Sequence, residues 1–123
     1  MAWQRVAVGV AGLMGMAGVV LAAAAAHAGE ARLLGAAAAM CLAHAPTVLV
    51  LALAGERLRP APVAALLLAL GSLLFAADLV LRARTGIGFF PMAAPAGGVA
   101  MIAGWAAVLV GALIRPSPGR RDD

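Results

Sequence analysis

Four apolar stretches of similar length make up most of the chain, at 6–26, 33–54, 62–81 and 93–114. The first has neither a charged nor a polar side chain in its 21 residues. A helix rises about 1.5 Å per residue, so a stretch of this length reaches roughly 31 Å, the thickness of a hydrocarbon core. The second is interrupted by His44 and Pro46, and the third carries Asp78 near its end. All are too apolar around their circumference to be surface helices of a water-soluble domain. The connections at 27–32, 55–61 and 82–92 are short, which forces successive helices to be antiparallel neighbours. Pro116, Pro118 and Gly119 in the tail 115–123 cannot continue a helix. The pattern predicts an all-α integral membrane protein: an antiparallel bundle of four transmembrane helices in a single membrane domain, 1–123.

Composition points the same way. The chain is 65% hydrophobic and 11% charged, with a mean hydropathy of +1.05. A chain of this size buries too little area to hide that much apolar surface from water, so the lipid bilayer is the expected partner. The net charge of +4 comes from arginines dispersed between the apolar stretches. They form no basic face with aromatic platforms, so no nucleic acid is expected. Basic residues flanking spans act as topology signals instead. Arg5, Arg57, Arg59, Arg115, Arg120 and Arg121 fall on one side, and Arg32, Arg82 and Arg84 on the other. That balance predicts an inner (plasma) membrane protein with cytoplasmic N- and C-termini. Ala26-His27-Ala28 resembles a signal-peptidase site. The preceding apolar run is nevertheless longer than the roughly 7–15 residues of a signal-peptide core, so the expectation is an uncleaved span end.

Groups that carry chemistry are scarce. There is no Lys, Asn or Tyr, and the hydroxyls are Ser72, Ser117, Thr47 and Thr85. Catalysis needs nucleophile, base and oxyanion donors in combination, so the chain is not expected to be an enzyme. Ionisable residues inside spans are costly and become candidates by default. Asp78 is one, with Arg82 four residues on in the spacing of a helical ion pair. The pair reads first as a neutralised couple near the membrane edge, and second as a proton- or cation-binding carboxylate. His44 sits mid-span beside Pro46. A neutral ring bonded to a carbonyl freed by the proline is the first reading, and a proton relay the second. His27, beside Glu30, reads as a polar cap at a span end. Met40, Cys41 and His44, with Met14 and Met16, contain soft donors suited to Cu(I), but sulfur side chains are also ordinary packing residues. No metal or cofactor is expected.

Small residues carry the packing signal. Gly9, Gly12, Gly15 and Gly18 recur every third residue in the first stretch, and Gly97, Gly104 and Gly111 every seventh in the last, with Gly98 beside them. Lipid gives helices no hydrophobic reason to associate, so close backbone approach does the work. The expectation is a tight bundle or a homo-oligomer seam.

Residues 70–113 read LGSLLFAADLVLRARTGIGFFPMAAPAGGVAMIAGWAAVLVGAL, with Pro95, Gly97, Gly98, Gly104, Trp105, Gly111 and Ala112 in the order P-x-G-G, G-W, G-A. This text resembles the last two spans of the domain of unknown function 423 family (YgdD and transmembrane protein 256-like small membrane proteins). In the first half, Ala26-His27 is similar to the family's first span end, and His44, Pro46 and Leu49 to the opening of its second span. Met40-Cys41-Leu42-Ala43 stands where the family has aromatic residues, and Asp78 where it tends to have a small hydroxyl. The resemblance implies a four-span inner-membrane protein with a retained N-terminus, and no biochemical role. The functional expectation is a structural or accessory bundle that packs with itself, as a homo-oligomer, or with another membrane component. The alternative is a small oligomeric transporter that uses an intramembrane carboxylate. The intact mass of protein extracted from its own membrane is expected near the full 12.1 kDa, allowing for loss of Met1. A mass lacking everything through Ala28 would mean cleavage and three spans.

Overall fold

The computed structural model describes residues 1–27 and 29–114. Ala28 and the tail arginines Arg115, Arg120 and Arg121 lie outside that range. The chain forms α1 (Ala2–His27), α2 (Ala31–Ala54), a short 3-10 turn (Gly55–Arg57), α3 (Ala61–Thr85) and α4 (Ala93–Leu113). All four α-helices are long and apolar enough to cross a membrane. Three outrun the apolar stretches that announced them, α2 by two residues at its start. α1 begins at Ala2 rather than at residue 6, and α3 continues through Arg82 and Arg84 to Thr85 rather than stopping at 81. Basic side chains are favoured in a last helical turn, where they face unsatisfied carbonyls.

Local chemistry sets the ends. α2 stops at Gly55, whose φ of 54° lies in the region glycine enters without cost, and the Gly55 N–H donates to Leu51 O. Pro62, in the first turn of α3, occupies a position that needs no N–H donor. Gly86 ends α3 in the left-handed conformation, with φ 78°. Pro46 stays inside α2 without breaking it.

α2 and α3 form the middle of the molecule. α1 packs along α2 and touches α3 only lightly, while α4 packs along α3. One apolar cluster joins Met14, Val48, Leu51, Leu68 and Met101. A second joins Ala37, Cys41, Ala76, Leu79 and Ala94. The outer helices leave large side chains uncovered, among them Leu13, Met16, Val19 and Val20 on α1 and Val99, Ile102 and Leu109 on α4.

The glycines divide into two groups. A Cβ on Gly97 would come 2.6 Å from the Gly71 carbonyl oxygen, and one on Gly71 would come 2.7 Å from that of Gly97. Further along α4, Gly104 receives Leu68, and Gly111 receives Pro60 and Leu58. The partners step backward along the chain as α4 advances. On α1, Gly18 receives Leu42 of α2. Gly9, Gly12, Gly15 and Gly98 have nothing from another part of the chain within 4 Å. The seven-residue repeat is therefore a seam inside the chain. Of the two alternatives for Gly9, Gly12 and Gly15, packing inside the bundle is not what these residues do, because nothing from another part of the chain lies within 4 Å of where a Cβ would stand; a seam with a second copy is left.

Gly104→Val should lower stability in detergent by about 1–3 kcal/mol, because Leu68 already fills the space. Gly98→Val should change it by less than about 0.5 kcal/mol. Thermal melts of the two variants check the contrast. Equal losses would mean that the seam does not set the α3–α4 distance.

Candidate functional site

Asp78 lies two turns beyond Gly71 on α3 and is fully buried. Its Oδ2 accepts from Arg82 Nε at 2.8 Å, the ion pair anticipated from their spacing. Its Oδ1 accepts from the backbone N–H of Phe89, also at 2.8 Å. Phe89 belongs to the connection between α3 and α4, so the carboxylate holds that connection against the helix it came from.

The carboxylate also serves the start of α4. Ala93 N–H donates to Phe90 O, Ala96 N–H donates to Met92 O, and Pro95 has no N–H. The Ala94 amide is left over from that first turn. Met92, at the N-cap, supplies no side-chain bond. Asp78 binds the backbone of the connection just ahead of α4, which puts a negative charge on the side where a helix N-terminus favours one. Met92 is held at φ 70°, the one non-glycine residue with positive φ among the described residues.

Gly88 makes the arrangement sterically feasible. A Cβ there would collide with Asp78 Oδ1 and with the Arg82 guanidinium. Thr85 fixes the start of the connection: its hydroxyl lies 2.9 Å from Leu81 O and 3.0 Å from Ile87 O, and it accepts from Ile87 N–H.

His44 occupies a second polar position, between α2 and α4. Nδ1 lies 2.8 Å from Met40 O, and Nε2 lies 3.2 Å from Trp105 Nε1. A carbonyl only accepts and an indole N–H only donates. The two contacts fit the tautomer in which Nδ1 donates to Met40 O and Nε2 accepts from Trp105. The carbonyl that Pro46 frees is that of Leu42, four residues back. His44 bonds to Met40 O instead, which corrects the expected link between the histidine and the proline. Trp105 remains 47% exposed beside this contact.

The other candidates are not brought to these places. His27 is exposed at the end of α1. Met40 packs against the first apolar cluster, Cys41 belongs to the second, and Met16 faces outward. Met14 belongs to the first cluster, beside Met40. Among the described residues, no three His, Cys, Asp or Glu side chains group to hold a metal ion. Ser72 donates to Met101 Sδ at 3.3 Å within the core. Sequence reasoning missed Gly71, Gly88, Phe89 and Gln4. The Gln4 side-chain amide donates to Ala52 O at 2.9 Å, joining the start of α1 to the end of α2. Its one visible signal was its position as the sole amide side chain of the sequence, just ahead of an apolar run.

The sequence model of the family described as Protein of unknown function (DUF423) matches residues 21–98, well over half of the chain. The chain belongs to the DUF423 family. No curated protein and no solved structure matches it. The matched DUF423 region holds His44, Asp78, Arg82, Gly88 and Phe89, together with the Gly71–Gly97 approach. It stops before Gly104, Trp105 and Gly111, residues on which the sequence resemblance leaned.

Gly88→Ala should destabilise the protein by about 1–3 kcal/mol, because the new methyl displaces the Asp78–Arg82 pair. In an Asp78→Ala background the same change should cost far less. A double-mutant cycle from melts in detergent measures this coupling. Additive effects would detach Gly88 from the carboxylate.

Proposed function

We propose that this DUF423 protein is a multi-pass protein of the inner membrane, an antiparallel four-helix bundle with both termini in the cytoplasm. Its role is structural or accessory, and it is not an enzyme: it packs with a second copy or with another membrane component. The observation that carries the reading is the outer surface of α1, where Gly9, Gly12 and Gly15 stand open. Small residues let another helix approach closely in lipid, and here no helix of the same chain uses them.

Asp78 supports this reading over a transporter with a working carboxylate. Both of its oxygens already bind donors of the chain itself, which suits a tie that orders the connection from α3 to α4. Gln4 and the Trp105–His44 pair likewise tie one helix to another.

Oxidative crosslinking in native membranes tests the proposal. In a Cys41→Ala background, Gly12→Cys should form a disulfide-linked dimer or a crosslink to one defined partner. Gly104→Cys, which faces Leu68 inside the chain, should not. A chain that resists alkaline carbonate extraction yet stays monomeric and unpartnered at Gly12 would remove the packing role. A chain released by carbonate would remove the membrane reading itself.

A further inference from the structure

Because α1 lies along α2 and only brushes α3, a lateral groove runs between α1 and α3. It has two lobes, of about 470 and 490 Å³, that share Leu73. The lobes differ at their ends. The first is lined by apolar side chains, with Trp3 its one polar-tipped residue, and it has no charge along it. The second is walled by Val20 and Leu21 of α1 and by Ala77 and Val80 of α3, and it opens at Arg84 and Phe89.

We infer that this second lobe is a binding site for one anionic phospholipid, with an acyl chain in the groove and the phosphate on Arg84. Three observations select that occupant. From Leu73 to Arg84 the groove runs along eleven residues of α3. That is roughly 16 Å, about one leaflet of a hydrocarbon core of about 30 Å. Arg84 is exposed and, among the described residues, has no carboxylate partner, whereas its neighbour Arg82 is committed to Asp78. No acidic side chain lines the lobe to receive the ammonium of a zwitterionic headgroup. Ile87, Phe89 and Phe90 are exposed in the adjoining connection, where aromatic and apolar side chains mark the interfacial level of a membrane. A guanidinium at that level pairs with phosphate through charge-assisted hydrogen bonds.

The site rests on the membrane insertion proposed above. Its test uses the full chain, purified in detergent and titrated with phosphatidylglycerol or with phosphatidylcholine of the same acyl chains. Bound lipid is counted by native mass spectrometry. The wild type should retain one phosphatidylglycerol in preference to phosphatidylcholine. Arg84→Gln should weaken phosphatidylglycerol about fivefold and leave phosphatidylcholine unchanged. Ala77→Phe, which fills the open groove from an exposed position without entering the core, should weaken both. Arg59→Gln, at the opposite end of α3, should change neither.

Equal retention of the two lipids by the wild type would overturn the inference. So would an Arg84→Gln variant that keeps the preference. In a chain that resists carbonate extraction, either result leaves membrane insertion standing and removes the lipid site alone. A chain that carbonate releases removes both.

Discussion

Gly71 and Gly97 meet with no side chain between them, each where a Cβ on the other would strike a carbonyl oxygen. In the membrane setting proposed above, two helices gain nothing from hiding apolar surface, so the attraction between them comes from atoms in direct contact. This crossing brings the backbones of α3 and α4 close and fixes what lies on either side of it. Two turns onward along α3, Asp78 arrives beside the first turn of α4 and the connection that leads into it. In the other direction, Leu68 fits over Gly104, and the next residue, Trp105, reaches across to His44 on α2. The Asp78 and Trp105 contacts thus lie on either side of one close approach between backbones.

The helices were legible because their hydrophobic lengths match a physical thickness. The glycines were legible only in part, and helix geometry says why. Each residue advances about 100° around a helix, so seven residues return to within about 20° of the start. Gly97, Gly104 and Gly111 therefore share one face, and they line the seam with α3. A spacing of three drifts about 60° at each step. Gly18 consequently faces α2, while Gly9, three steps earlier, looks the opposite way. The repeat in α1 is as regular on paper as the one in α4, but it winds around its helix.

The polar site was half legible for a similar reason. Asp78 and Arg82 lie on one turn, so their pairing can be read from spacing alone. Phe89 and Gly88 complete the site, but the chain has to reverse direction to bring them there. Nothing in the sequence marks Gly88 as different from the exposed Gly86 two residues before it. The partner of His44 was hidden still more thoroughly, because Trp105 lies 61 residues away on another helix. Pro46, the nearest conspicuous residue, drew attention to the wrong carbonyl.

His44 gives the α2–α4 contact a property that apolar packing lacks. Met40 O requires a proton on Nδ1, and the indole of Trp105 requires a bare Nε2. The contact is therefore directional: it holds only while the indole N–H points at Nε2, so it fixes how α4 is rotated about its own axis against α2.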